Sequence, residues 1–235
     1  MITAVKYHVR RIAALLILFL VVRAGFKALL HDEPSEPTAS EQETSVSAEP
    51  RRQAAASIAQ GRPVEMVVPV LGLRAGFEQG DCRVVDGKID PKSMDKACAL
   101  TGQDYPYELP GTNAGDIVVV AGHTGAGVDA VFNKLYDGKA ERHTVAEGDT
   151  LFVRTETSGD DWLKYTATDL HDPDKGALAS NTEIWGTGPM PGRLLTISCI
   201  QPANLLADSV RNAVVGWQLA GTATGDEVEM AFEPR

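Results

Sequence analysis

From Val64 to its C-terminus this sequence is a succession of short strand-like runs, and that pattern restricts its fold more than any other feature. "VEMVVPVLG" is broken by Pro69, and "DIVVVAGHT" (Asp116–Thr124) is a short apolar run suited to a central strand. "TLFVRTET" and "LKYTATDL" alternate apolar and polar residues on either side of the turn "SGDDW". "RLLTISC" and "RNAVVGWQLAG" follow, and "EVEMAFE" is expected as a last strand. Two helical pieces are expected. One is a turn or two over "DAVFNKLYDG" (Asp129–Gly138), with Asp129 as N-cap and Gly138 past the end; the other lies within "DKGALASNTEIWG". Six to eight short strands with few helices predict a mainly β fold, a barrel or a sandwich.

Ahead of this body the composition changes twice. Residues 1–30 carry five Lys/Arg and no acid, and residues 31–50 carry six acids and no Lys/Arg. "MITAVKYHVRR" is a basic flank with Lys6, Arg10 and Arg11, followed by eleven unbroken apolar residues, Ile12 to Val22. Taken through Leu30 the segment is about 28 Å long as a helix, close to the ~30 Å of a hydrocarbon core. Lys27 can snorkel to the interface; Arg23 does so at greater cost. The expected organisation is a cytoplasmic basic N-terminus (1–11), a single-pass membrane anchor (12–30), a disordered stalk (31–63) and a folded extracellular body (64–235). The alternative for the first segment is a cleaved signal peptide, with the small residues Val22 and Ala24 near the cleavage site. Both readings export the body.

The net charge of −10 argues against a nucleic-acid partner. No glycine-rich phosphate loop or dinucleotide fingerprint is present, and no spacing of Cys, His and carboxylates points to a metal.

Three cysteines occur in a chain read as exported, where disulfides persist. Cys82 and Cys98 share the segment "DCRVVDGKIDPKSMDKAC" and are expected to be bridged; two free buried thiols are the alternative. That leaves Cys199, at the end of "RLLTISC". An odd cysteine in such a chain is a link to another chain, a reactive thiol or a small buried hydrophobe. A reactive thiol needs a base and a group to hold an oxyanion. Of the five histidines, His8 and His31 flank the apolar segment, His143 lies among charges and His171 in the polar turn "DLHDPD". His123 differs, since it follows the apolar "IVVVAG" and precedes the flexible "TGAG". A hydrogen-bonded structural histidine is the alternative there. Arg211, twelve residues after Cys199, opens "RNAVVGW"; it carries a permanent charge and several N–H donors, and taken alone it reads as a surface arginine.

Together "VVVAGHTGAG", "AVFNKL", "EGDTLFV", "LLTISC" and the arginine opening "RNAVVGW" resemble the sortases, the membrane-anchored cysteine transpeptidases of Gram-positive bacteria. The resemblance covers roughly Val64 to Ala220 and keeps the order His, Cys, Arg. The short body with an N-terminal anchor is most similar to the class F sortases of actinobacteria. One departure is Ser198, where the family usually has Thr before the cysteine.

The resemblance implies a closed β-barrel of about eight strands. It implies His123, Cys199 and Arg211 as catalytic residues, with Thr124, Thr196 and Ser198 against the substrate. The reaction implied is cleavage of a Leu-Pro-x-Thr-Gly-like sorting signal between Thr and Gly through a thioester on Cys199. The acyl group then passes to an amine, such as that of a cell-wall precursor, or to water. No cofactor is implied, the acids assign no calcium site, and a monomer is expected. Two rivals differ in class. An L,D-transpeptidase would carry Gly before its cysteine, where this chain has Ser198, and Arg soon after, where this chain has Gln201. An anchored binding module with a decayed site would form no thiol adduct.

Overall fold

A computed structural model describes residues 57–102, 105–204 and 206–233. The basic N-terminus, the anchor and the stalk as far as residue 56 lie outside the described residues. Among the described residues no helix is long and apolar enough to cross a membrane.

The described residues form twelve strands: β1 (Pro63–Val68), β2 (Leu73–Asp81), β3 (Val84–Val85), β4 (Lys88–Ile89), β5 (Ala97–Ala99), β6 (Val118–Ala121), β7 (Tyr136–Asp137), β8 (Arg142–His143), β9 (Thr150–Thr155), β10 (Trp162–His171), β11 (Arg193–Cys199) and β12 (Asn212–Ala223). Eight of them close a barrel in the order β1-β2-β5-β6-β11-β12-β10-β9, with β9 pairing back to β1. The fold is therefore mainly β, as the run of short strands predicted. β6–β11 and β2–β5 are parallel and the other barrel pairs antiparallel. The β3–β4 and β7–β8 hairpins stand apart as two-stranded sheets.

Strand alternation divides the apolar residues between two cores. Leu194, Val118, Val120, Val215 and Trp217 share the larger core with Met66, Leu151, Leu163 and Tyr165. Trp217 is fully buried and its indole N–H donates to Thr196 Oγ1 at 3.0 Å, which satisfies the polar edge of a large apolar ring. The opposite residues of the same strands, Leu195, Ile197, Val119, Ala121 and Val214, pack against Ile184, Leu100 and the Cys82–Cys98 pair. Covering both faces explains why "VVVA" and "LLTI" read as continuous apolar runs rather than alternating ones. Each fully buried Leu or Val of this kind contributes about 1.5–3 kcal/mol.

Three expectations change. "EVEMAFE" belongs to a helix, α2 (Gly225–Phe232), not a strand; the short α1 (Thr182–Trp185) precedes it. Thr224 caps α2, its hydroxyl accepting from the Glu227 N–H while the Glu227 carboxylate accepts from the Thr224 N–H. Val228 and Phe232, four residues apart, then fall on the face packed against Phe152 and Trp162. Residues 129–138 form turns and the start of the β7–β8 hairpin rather than a helix. Two of the backbone donors there are taken by distant partners, Val131 N–H by the Met94 carbonyl and Phe132 N–H by the His123 carbonyl, and the N–H groups of Asn133 and Leu135 make only local turn bonds to Ala130 and Phe132. Finally, the folded body begins before Val64. Ile58 is 3% exposed in the larger core. Its N–H and C=O both pair with Thr112, and the Gly61 N–H donates to the Pro110 carbonyl.

Candidate active site

The parallel pairing of β6 with β11 aligns Ala121 with Ile197. Two residues further along each strand direction come His123 and Cys199. On the other side of β11, Cys199 pairs with Asn212, and the Ile200 N–H donates to the Arg211 carbonyl at 3.0 Å. Three neighbouring strands, β6, β11 and β12, thus deliver His123, Cys199 and Arg211 to one end of the barrel. Strands in a sheet lie only ~4.8 Å apart, so parallel pairing makes neighbours of residues far apart in sequence.

Cys199 is the one free cysteine and is half-buried; Cys82 and Cys98 are bridged, as their shared segment predicted. Cys199 lines an open cleft of about 590 Å³ with Thr124, Tyr136, Gln201, Leu71 and Lys134. The Thr124 hydroxyl donates to the Cys199 carbonyl at 2.9 Å and accepts from Gln201 Nε2 at 3.1 Å. Gln201 Nε2 also reaches the Thr124 carbonyl at 3.2 Å, and Asn212 Nδ2 donates to the Ser198 carbonyl at 3.0 Å. The backbone carrying the thiol is therefore pinned from both neighbouring strands. Gly138, which also lines the cleft, sits so close to the Gln201 carbonyl oxygen that a Cβ would run into it.

His123 does not itself line this cleft. Its Nε2 donates to the Pro91 carbonyl at 2.7 Å, with Asp90 Oδ1 at 4.0 Å. A carbonyl only accepts, so Nε2 carries a proton in this arrangement. Pro91 belongs to the segment closed by Cys82–Cys98, so that bridge bounds the loop lying against the histidine. Arg211 lines a second cleft of about 330 Å³ that shares Gly138 and Pro202 with the first. Arg211 Nη1 donates to Asp172 Oδ2 at 2.7 Å, and Glu141 Oε1 is 3.8 Å from Nη2.

Of the residues expected against substrate, Thr124 alone lines the cleft. Thr196 is fully buried in the barrel, with its hydroxyl taken by Trp217. Ser198 is 3% exposed, and its buried hydroxyl has no partner among the described residues. Side chains alternate along a strand, so Ser198 and Cys199 face opposite ways and Ser198 is turned away from the cleft.

The barrel is similar to solved structures of sortases. With sortase A of Listeria monocytogenes it shares 14% identity at a TM-score of 0.49, over 75% of this chain and 100% of that one. With sortase C-3 of Streptococcus pneumoniae it shares 15% identity at a TM-score of 0.49, over 78% of this chain and 74% of that one. With sortase C-1 of Actinomyces oris it shares 18% identity at a TM-score of 0.46, over 66% and 72%. No family model and no curated protein matches the sequence.

Four residues that the sequence did not single out shape the site: Gln201, Asn212, Tyr136 and Asp172. The Tyr136 hydroxyl donates to Asp172 Oδ2 at 3.2 Å. Burial raises the Tyr136 pKa, and the Asp172 carboxylate adds to the rise while Arg211 opposes it. Its ring meets His143 edge-on at 5.0 Å. Burial lowers the His143 pKa, against the hydrogen bond its ring donates to the His171 carbonyl. The one sequence hint to this group was the polar turn "DLHDPD", which holds both His171 and Asp172.

Proposed function

We propose that this chain is a sortase-type cysteine transpeptidase. The observation that carries the reading is the alignment of His123, Cys199 and Arg211 at the ends of three adjacent strands, with the free thiol on an open cleft.

In this reading Cys199 Sγ attacks the threonine carbonyl of a sorting signal. The new S–C bond forms as the C–N bond to glycine breaks, and His123 supplies the proton that the departing amine takes up. Arg211 donates to the carbonyl oxygen as it becomes negative. An amine, or water, then attacks the thioester; His123 takes its proton and Cys199 leaves as thiolate. The cleft, open at the barrel end, admits an extended peptide. The basic flank and apolar segment at the N-terminus support a membrane-anchored enzyme with its body outside the cell, and the short body supports class F.

The test is incubation of the full-length chain with sorting-signal peptides and an amine such as triglycine. The reading expects a joined product that carries the peptide up to Thr and then the amine. Absence of both joined and hydrolysed product across a library of such peptides would refute it.

A further inference from the structure

Arg211 does not stand free at the head of β12. Its Nη1 donates to Asp172 Oδ2 at 2.7 Å, the one side-chain hydrogen bond Arg211 makes among the described residues. Asp172 follows the last residue of β10, and its backbone is fixed to the segment before β12. The Asn212 N–H donates to the Pro173 carbonyl at 2.9 Å, the Lys175 N–H to the Val210 carbonyl at 2.9 Å, and Asp174 pairs with Arg211 as an isolated bridge.

The β7–β8 hairpin grips Asp172 and the residue before it from the other side. From β7, the Tyr136 hydroxyl donates to the oxygen of Asp172 that also holds Arg211. From β8, His143 Nε2 donates to the carbonyl of His171, the residue before Asp172, at 3.0 Å. Tyr136 is 8% exposed and also lines the Cys199 cleft. One side chain thus touches the cleft of the thiol and the carboxylate that holds the arginine.

A half-exposed ion pair of this kind adds little to stability. Its geometric effect is larger. A guanidinium has five N–H donors in a rigid fork, and one donor tied to a fixed carboxylate orients the rest. We propose that Asp172 is a positioning residue for Arg211, with Tyr136 holding Asp172 in place, so that the free donors of Arg211 are aimed before substrate arrives. The proposal rests on the reading of Arg211 as the oxyanion donor.

The experiment compares full-length wild type, Asp172→Asn, Asp172→Glu and Tyr136→Phe, each alone and with Arg211→Ala, in steady-state transpeptidation of a sorting-signal peptide. Asp172→Asn is expected to lower kcat about tenfold, with KM little changed, because orientation rather than substrate binding is lost. Tyr136→Phe should show a smaller drop of the same kind, and Asp172→Glu should recover part of the loss. In the Arg211→Ala background, Asp172→Asn should have no further effect. Melting temperatures of all variants should match the wild type.

An active parent whose Asp172→Asn variant keeps full kcat overturns the positioning role. A variant faster than the parent also overturns it, and makes the pair a brake on Arg211. An equal loss with and without Arg211 shows that Asp172 acts elsewhere. A wild-type chain that neither cleaves nor joins any peptide overturns the reading of Cys199 and the proposal with it.

Discussion

Thr124 and Cys199 are joined across two parallel strands: the threonine hydroxyl donates to the cysteine carbonyl at 2.9 Å, between residues 75 positions apart. The bond fixes the backbone that carries the thiol rather than the thiol itself. Thr124→Val keeps the shape and removes the donor. A net loss of about 1 kcal/mol in stability is expected, with turnover falling about fivefold to tenfold as the thiol loses its fixed position. Thr124→Ser should retain both. Melting curves and steady-state rates on a sorting-signal peptide check this.

The start of the folded body gives a second prediction. A chain beginning at residue 57 should melt as the full-length protein does, whereas one beginning at Val64 loses Ile58 from the core together with its pairing to Thr112. Emptying a buried Ile site costs roughly 2–5 kcal/mol. The shorter chain should melt well below the longer. Equal melting temperatures would show that residues 57–63 add nothing.

The Arg193–Asp169 pair predicts acid sensitivity. Arg193 is 5% exposed, and both its terminal nitrogens donate to Asp169, at 2.8 and 2.7 Å. Burial raises the Asp169 pKa, but Arg193, Thr168 and His171 outweigh it and hold the pKa at about 2. The folded pKa lies below the unfolded value near ~3.9. The stabilisation is therefore complete above about pH 4 and is lost as pH falls towards 2. Over that window Asp169→Asn should lose less stability than the wild type. At neutral pH, Arg193→Met should cost about 1.5–3 kcal/mol, since it removes the charged donor to Asp169 while Thr168 and His171 still donate to it.

The bridge between Cys82 and Cys98 makes a further prediction, because its loop holds His123 through Pro91. Replacing both cysteines by serine should cost about 3 kcal/mol in the chain-entropy account. Turnover should fall as well, since the carbonyl that orients His123 through Nε2 is no longer fixed. A lower melting temperature with unchanged turnover would limit the bridge to stability.

Much of this was legible in the sequence, for reasons that differ by element. The strands around "VVVA" and "LLTI" were readable because both faces are covered, which leaves long apolar runs. The placement of His123 and Cys199 at strand ends was readable because each closes such a run. Ser198 and Thr196, one and three residues before Cys199, lie off the cleft because residues an odd number apart face opposite sides of a strand. Helix α2 was hidden by the alternation of "EVEMAFE", although the Thr224–Glu227 capping box was present. Ile58 was missed because a lone apolar residue in a polar stretch gives no periodicity. Asp172 and Tyr136 meet Arg211 and each other only through strand pairing, and beyond the polar turn "DLHDPD" nothing local marks them.

Cys199 as the nucleophile is the central claim, and one measurement addresses it most directly. The full-length chain and its Cys199→Ala variant are each mixed with a sorting-signal peptide without an amine, quenched in acid and weighed intact by mass spectrometry. The wild type should gain the mass of the peptide up to its threonine, the added mass should be released by hydroxylamine, and peptide mapping should place it on Cys199. Cys199→Ala should gain nothing and melt as the wild type does. An adduct on the variant, or on another residue of the wild type, would contradict the account.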